Sequence, residues 1–359
     1  MGDFHDSMRR SLSAIAALVL SVLACVSIAI AQDGVPVAPS EAKVPDVVRE
    51  AVETAKVGPD AVTVGAYIND IHELDFRSHT YSVDLYIWFR WKNAKANPVK
   101  TMEFMNRYSP TDHQRDVLLD EPKVMPDGSL YNIIREQGRF SSKFRLEKYP
   151  FDRQTLEVIF EDTVASVADQ SYVAQDKPIE SNPEITLPGY KVAPPRLMVS
   201  NNHYTTNFGD ISMAETDTYS RVTIGIPVSR PLLTVSIKTF VPILLIIMSS
   251  TLGLFVRPSF VEGRIGLTIT ALLTLVALQL TASSSLPDVD YLMLNDKAYL
   301  ASYAFIIAVL ARVVATSWVS ADSVSEVAVA RLDRRWAALF HVVYWAVIGL
   351  SVVWTMLRF

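Results

Sequence analysis

The C-terminal part of the chain contains four apolar segments, each long enough to cross a lipid bilayer as a helix. They cover residues 232–256, 262–284, 299–319 and 336–357. Only helices and closed barrels satisfy their own backbone hydrogen bonds in lipid, and a helix needs about 20 apolar residues to span it. The segments explain why 50% of the chain is hydrophobic and the mean hydropathy is +0.22. The sequence therefore predicts a transmembrane domain of four helices over residues 230–359.

The charges around these segments predict their orientation. Arg257 lies between the first two segments and Arg264 at the start of the second, and three more arginines precede the fourth, Arg331, Arg334 and Arg335. The connection between the second and third segments is acidic instead, with Asp288, Asp290 and Asp296. Because basic loops stay in the cytoplasm, we expect the N-terminal domain and the C-terminus on the extracytoplasmic side of the inner (plasma) membrane.

The first residues have the pattern of a secretory signal peptide. A basic start at Arg9 and Arg10 leads into an apolar run that ends in Ala29-Ile30-Ala31. This pattern predicts a signal peptide over residues 1–31 with cleavage after Ala31. Residues 32–59 are expected to form a linker and one short amphipathic helix.

Residues 60–229 have the composition of a β-domain. Short β-branched and aromatic runs, such as Tyr81 to Trp91, are separated by turn signals such as Pro126-Asp127-Gly128. Many short strands with little helical periodicity predict an antiparallel, immunoglobulin-like β-sandwich. We expect this domain to be extracellular, because the predicted signal peptide would export it.

Composition excludes several classes of function. The net charge is -5 and the pI is near 5.7, so nucleic acid is not an expected partner. Cys25 is the one cysteine of the chain, and the six histidines are scattered without metal-ligand spacing. With no phosphate loop and no nucleophile elbow in the sequence, we expect neither an enzyme nor a cofactor or metal site.

The second apolar segment carries a line of polar and small residues at helical spacing. Positions three and four residues apart fall on one face, namely Glu262, Gly266, Thr270, Leu273, Ala277, Leu280 and Ser284. A carboxylate and hydroxyl groups would be costly against lipid, so this face should contact water or protein. Two interpretations remain open: the segment lines a pore, or it is a buried helix whose hydroxyls bond within a bundle.

Several motifs together resemble the pentameric ligand-gated ion channels, the Cys-loop receptor family, in its bacterial branch. Tyr149-Pro150-Phe151-Asp152-Arg153-Gln154 is similar to the family's hairpin signature, and Arg230 to the arginine before its first span. The stretch from Glu262 to Pro287 is similar to its second span. The two cysteines of animal receptors would fall at Ser142 and Leu156, so the disulfide is lacking. The resemblance covers about residues 58–357 and implies a homopentamer around a central pore.

The resemblance gives the polar line a function. Five copies of the second helix would surround the pore, and a ring at Glu262 would attract monovalent cations at its cytoplasmic mouth. Leu273 matches the gate leucine of the family, with Ala277 and Leu280 extending an apolar collar. Arg264-Ile265-Gly266-Leu267 also resembles anion-selective relatives. A cation channel is therefore expected, with an anion channel or a poorly conducting ligand-binding sensor as alternatives.

The resemblance also implies gating and ligand residues. The gating set is expected where the two domains meet, and comprises Asp75, Tyr149, Pro150, Phe151, Asp152, Arg230 and Pro287. In it, Asp75 and Asp152 would flank Arg230. The ligand set comprises Tyr86, Phe104, Thr163 and Tyr219, although Thr163 replaces a tryptophan of the family and weakens an aromatic cage. The agonist is left open between a small molecule and protons, which His72, Glu73, Asp75 and His79 could sense.

Overall fold

The computed structural model of the protein describes residues 60–209, 217–320 and 326–358. The expected signal peptide (1–31) and the expected linker with its short helix (32–59) lie outside the described residues. The described chain divides into two compact units. One contains most of the strands, and the other contains four long helices together with residues Arg145–Asp152.

Residues 60–229 form a β-sandwich, as the sequence predicted. Within the described part of this region, the strands are β1 Asp60–Asp75, β2 Thr80–Trp91, β3 Met102–Phe104, β4 His113–Val117, β5 Lys123–Val124, β6 Leu130–Ser141, β7 Arg153–Asp162, β8 Gln170–Ser181, β9 Lys191–Val192, β10 Arg196–Tyr204 and β11 Asp217–Ser229. A short helix, Pro98–Thr101, and a 3-10 turn, Pro110–Asp112, lie between strands.

The strands form two sheets. The first has the order β4-β6-β2-β1-β8, with β5 also paired to β6. The second has the order β10-β11-β7-β3, with β9 also paired to β11. Pairing is antiparallel throughout, except that β1 and β8 run parallel. That pair departs from the expected antiparallel fold, because long crossings between the sheets return the chain beside β1 in the same direction.

Aromatic side chains from both sheets form the sandwich core. Phe160 of β7 meets Phe89 of β2 and Tyr172 of β8 edge-on, at ring-centroid distances of 6.0 Å and 5.5 Å. Edge-to-face pairs of this kind add about 0.5–1.5 kcal/mol each beyond the area that they bury. Alternation of buried and exposed residues along β7 places these rings on its inner face.

The second unit contains four helices, α1 Leu232–Phe255, α2 Val261–Ser283, α3 Leu294–Ser320 and α4 Glu326–Arg358. Each is long and apolar enough to cross a membrane. They pack around a core that includes Ile247 of α1, Leu275 of α2, Phe305 of α3 and Phe340 of α4. Pro242 lies inside α1, where it removes one backbone donor without ending the helix.

The third and fourth helices begin earlier than the apolar segments do. The expected starts were residues 299 and 336, whereas α3 begins at Leu294 and α4 at Glu326. Helical hydrogen bonding continues through polar residues, so hydropathy marks the membrane-embedded part and not the helix end. At α3 the Asp296 carboxylate also accepts a hydrogen bond from the Met293 N–H (3.0 Å), which stabilises the first turn.

Candidate functional site

The polar line predicted from the sequence lies on one exposed face of α2. All seven of its residues are exposed in the single chain: Glu262, Gly266, Thr270, Leu273, Ala277, Leu280 and Ser284. The two leucines are 64% (Leu273) and 68% (Leu280) exposed, as are apolar side chains on the outward faces of α1 and α4, such as Leu233 (76%) and Leu350 (71%). The buried residues of α2 lie on the opposite face, namely Arg264, Thr268, Ala271 and Leu275.

The threonines of α2 bond to their own helix. Thr268, Thr274 and Thr281 each donate to the carbonyl oxygen four residues earlier, at 2.8–2.9 Å. A short hydroxyl side chain reaches its own i-4 carbonyl easily, so these three hydroxyls bond within α2 and not to a neighbouring helix. The longer Gln279 does bond between helices, because its Oε1 accepts from the hydroxyl of Tyr303 on α3 at 2.6 Å.

Arg264 points away from the exposed face of α2. Its guanidinium donates to the Asp333 carboxylate of α4 at 2.6 Å and to the Gly253 carbonyl at 2.8 Å. In the sequence, Arg264 served only to predict the orientation of the spans and as part of a motif of anion-selective relatives, and its partner Asp333 was missed. The signal was present in the sequence as a lone acid among the arginines that begin the fourth segment.

The signature hairpin packs against α1 and the start of α3. The carbonyl oxygens of Glu147 and Tyr149 accept hydrogen bonds from the N–H groups of Leu294 and Asn295, at 3.1 Å and 3.2 Å. These N–H groups belong to the first turn of α3, and the N–H groups of a first turn have no acceptor within their own helix. The hairpin thus supplies the missing acceptors, and its Tyr149–Pro150 peptide bond is cis.

Side chains extend this contact. The ring of Phe151 stacks on Phe240 of α1 at 5.9 Å, and the Leu146 N–H donates to the Tyr291 hydroxyl at 2.9 Å. Tyr291 lies in the connection from α2 to α3, as does the half-buried Pro287. Burial raises the pKa of the Tyr291 hydroxyl above its usual value. The hairpin therefore contacts this connection at Tyr291, next to the start of α3.

Arg230 lies beside two aromatic rings that stack on each other, Phe76 and Tyr190. Its guanidinium is 5.0 Å from the ring centroid of Phe76 and 4.8 Å from that of Tyr190, as in cation–π contacts. The carboxylate of Asp75 accepts from the Ser78 hydroxyl (2.7 Å) and the Arg77 N–H (2.9 Å). The hydrogen bond from Ser78 lowers the pKa of Asp75. The role of Asp75, Asp152 and Arg230 as one gating network stays a prediction.

The expected ligand residues lie in different parts of the sandwich. Tyr219 on β11 is buried against Tyr204 at 5.8 Å, whereas Tyr86 lies on β2, in the other sheet. Phe104 lies in the core, edge-on to Phe140 and Phe160. The Thr163 hydroxyl is exposed and donates to the Thr101 carbonyl at 2.9 Å.

Sequence reasoning missed a charged group beside Tyr219. The buried Glu161 carboxylate accepts from the Tyr204 hydroxyl at 2.9 Å and forms an ion pair with Arg221. Burial and the hydrogen bond to Glu161 raise the pKa of Tyr204. The register of β7 and β11, which places Arg221 opposite Glu161, brings these residues together and cannot be read from either strand alone.

Within the described residues, no group of three or more His, Cys, Asp or Glu side chains is arranged to hold a metal ion.

Comparison with known proteins identifies channels as relatives. No protein-family model matches the chain. It is 22% identical over 281 residues to a proton-gated ion channel of Gloeobacter violaceus, covering 74% of this chain and 75% of the relative. It is 21% identical over 272 residues to the gamma-aminobutyric acid receptor subunit gamma-3 of Homo sapiens, covering 71% of this chain and 56% of that subunit.

A third relative is the glutamate-gated chloride channel subunit beta of Haemonchus contortus. The identity is 22% over 304 residues, covering 78% of this chain and 68% of the relative. The matched length exceeds either unit of the chain, so the similarity takes in both strands and helices.

Proposed function

Because this chain belongs to the family of pentameric ligand-gated ion channels, we propose that it forms a homopentameric, cation-selective channel. The exposed face of α2 carries the proposal. A packed single chain leaves two leucines, a carboxylate and several small residues open to its surroundings along one line. A ring of copies around an aqueous axis gives this face a suitable environment, whereas lipid does not.

The chain is a multi-pass membrane protein with four spanning helices. The distribution of its arginines supports insertion in the inner (plasma) membrane with the sandwich and the C-terminus outside. In that orientation the Glu262 end of α2 faces the cytoplasm.

Cation selectivity is assigned to Glu262. The residue is exposed in the first turn of α2, and Arg264 is bound to Asp333 rather than to it. Five such carboxylates at one level would raise the local concentration of cations and repel anions. The relatives include a chloride channel, so an anion-selective pore is the alternative within the same family.

The gate is assigned to Leu273, with Ala277 and Leu280 above it. A ring of apolar side chains excludes water when narrow and thereby blocks ions without a physical plug. A polar substitution at Leu273 is expected to favour the wetted, open pore.

The agonist site is assigned to the sandwich. The agonist is either a small molecule that binds beside Tyr219 or the proton. One relative is named a proton-gated ion channel, which makes protons the first agonist to test. His72 lies 3.3 Å from Asp70, and both side chains are exposed to solvent.

The decisive experiment is a current recording from reconstituted protein. The external pH is stepped from about 8 to about 4, the range in which carboxyl and imidazole groups titrate, across an asymmetric NaCl gradient. We expect an inward current whose reversal potential follows sodium. A reversal potential that follows chloride would refute the cation assignment.

Two substitutions sharpen the result. Glu262→Gln removes the charge without changing the size of the side chain and is expected to shift the reversal potential toward chloride. Glu326→Gln is the matched control, because Glu326 is also exposed and lies in the first turn of α4. Equal effects of the two changes would contradict the role of Glu262.

If no pH step elicits current, Leu273→Ser separates a missing agonist from a non-conducting sensor. A constant leak in this variant, absent from Val276→Thr on the same helix, indicates a channel whose agonist is not the proton. Silence in both variants favours the sensor.

A further inference from the structure

Three charged side chains are buried together where all four helices meet. Arg264 of α2 and Asp333 of α4 are each 0% exposed, and Arg312 of α3 is almost as deeply buried. One oxygen of the Asp333 carboxylate accepts from Arg264 at 2.6 Å, and the other accepts from Arg312 at 2.8 Å. We call these three residues the charge clamp.

The single side chain of Arg264 forms hydrogen bonds to all three of the other helices. Its Nε donates to the Gly253 carbonyl of α1 at 2.8 Å, its Nη1 to the Thr316 hydroxyl of α3 at 3.1 Å, and its Nη2 to Asp333 of α4. At Gly253 the helices α1 and α2 are close, because a Cβ there would lie 3.2 Å from the Thr268 hydroxyl oxygen. Three separate acceptors fix both the depth and the direction of one side chain.

Because its charges are costly to bury, the charge clamp favours one rotational setting of α2. Burying a charge in a low-dielectric interior is expensive unless it is paired and fully hydrogen-bonded, and removing one partner leaves the other uncompensated. A rotation of α2 about its axis would break the contacts to Asp333, Thr316 and Gly253 together. The clamp thus penalises every rotational setting of α2 except the observed one.

The rotational setting of α2 determines where Glu262 points. Successive residues of a helix are about 100° apart, so Glu262 and Arg264 lie about 200° apart, on opposite faces. Glu262 is exposed and Arg264 is buried, as this geometry requires. A rotation of α2 by one residue position, about 100°, would turn Glu262 away from the ion pathway together with Gly266 and Thr270.

We propose that Asp333 and Arg312 are positioning residues for ion selectivity, which hold Arg264 so that the Glu262 carboxylate faces the ion pathway. This inference rests on the proposed function, because it assigns a cause to the selectivity of that pore. Neither positioning residue touches the permeating ion; each acts through Arg264.

The test measures selectivity and the orientation of α2 separately. Asp333→Asn keeps the shape of the side chain but removes the charge that binds both arginines. We expect the sodium-to-chloride permeability ratio to fall at least about threefold, because the carboxylate ring is displaced from the pathway. An unchanged ratio would overturn the proposal, since a clamp with only a structural role does not alter which ion permeates.

Orientation is read without current, from thiol labelling. Glu262→Cys is introduced with and without Asp333→Asn, and labelling by a water-soluble cationic thiol reagent is followed by mass. We expect labelling of the Glu262→Cys variant to slow at least about threefold when the clamp is broken. Ala277→Cys, farther along the same face, should slow in the same direction, because a rotation of α2 carries the whole face. Glu121→Cys, exposed in the sandwich, is the control and should label equally in both backgrounds.

The readouts separate the two proposals. If the protein conducts no ions but the labelling depends on Asp333, the proposed function fails and the clamp stands. If cations permeate and labelling is independent of Asp333, the function stands and the clamp fails as a positioning device.

A milder variant covers the case in which Asp333→Asn does not assemble. Thr316→Val removes one partner of Arg264, leaves every charge in place and nearly preserves volume. We expect smaller shifts in the same direction for both permeability and labelling. Wild-type values of both in Thr316→Val would likewise overturn the proposal.

Discussion

Two buried carboxylates, Glu136 in the sandwich and Asp333 in the helical unit, each bind two arginines but in surroundings of different polarity. Glu136 accepts from Arg115 at 2.9 Å and pairs with Arg107 at 3.3 Å, with His113 Nδ1 also 2.9 Å away. The side chains of those arginines remain 30% (Arg107) and 24% (Arg115) exposed. Around Asp333, by contrast, both arginines are removed from water almost completely.

The difference in burial indicates how well each cluster tolerates the loss of its carboxylate. An arginine that keeps part of its guanidinium at the surface can recover hydration when its carboxylate is lost. An arginine in the middle of four helices has no such route, because its surroundings are side chains and backbone. The same chemical motif is therefore adaptable in the sandwich and obligatory in the helical unit.

The largest expected effect tests the obligatory cluster. Asp333→Asn should lower the free energy of unfolding by about 3–5 kcal/mol, because two buried guanidiniums lose their common counter-charge. The fraction of detergent-solubilised protein that survives heating measures this loss. Glu326→Gln on the same helix, but exposed, should leave that fraction unchanged.

The next effect concerns the sandwich. Glu136→Gln should cost about 1–3 kcal/mol, the range for leaving a polar group without its partner, because Arg107 and Arg115 can turn toward water. Thermal unfolding followed by near-UV circular dichroism measures it, with the exposed Glu121→Gln as control. A loss as large as that of Asp333→Asn would break the comparison.

A neutral hydrogen bond between helices provides a reference for the stability that the charge clamp contributes. Tyr303→Phe removes the bond to Gln279, and its expected cost is about 0.6–1.7 kcal/mol, as for other polar pairs between spanning helices. The same heating assay applies. If Tyr303→Phe were as damaging as Asp333→Asn, charge would not be what distinguishes the clamp.

The smallest expected effect is a change in pH dependence. Burial raises the pKa of the Glu157 carboxyl in β7, so the folded state binds this proton more tightly than the unfolded state does. The associated stability is fully present below the pKa of the unfolded chain and is lost as pH rises through the raised value.

Glu157→Gln should therefore flatten the decline of the unfolding temperature over that pH range. Unfolding temperatures of the two proteins, measured in matched buffers at each pH, give the comparison. A decline that persists unchanged in Glu157→Gln would assign it to another group, which would sharpen the search for proton-sensing residues in the sandwich.

Local sequence patterns predicted the helices and strands, and they predicted which residues share the exposed face of α2. Hydropathy located the four spanning helices, and three-and-four spacing selected the exposed line from Glu262 to Ser284 on α2. The four helices are confirmed, because hydropathy depends only on neighbours along one helix. The pore-lining role of the exposed line stays a prediction. The β-branched and aromatic run from Tyr81 to Trp91 similarly predicted a sandwich strand, which the structure has as β2.

The partners across elements could not be predicted in this way. Arg264 and Asp333 are separated by an entire helix and two connections, and Arg221 meets Glu161 only through strand register. The parallel pairing of β1 and β8 is a further example. In each case the sequence offers many chemically equivalent partners for the same residue or strand, and nothing local selects among them.

The sequence by itself determined the two kinds of domain, the membrane spans and the residues that share the exposed face of α2, because backbone hydrogen bonding and hydrophobic burial impose those periodicities locally. Only the tertiary structure decided that Arg264 turns inward to Asp333 and Arg312 while Glu262 stays exposed. The physical reason is that a buried charge must find a counter-charge within hydrogen-bonding distance, and packing alone determines which one is there.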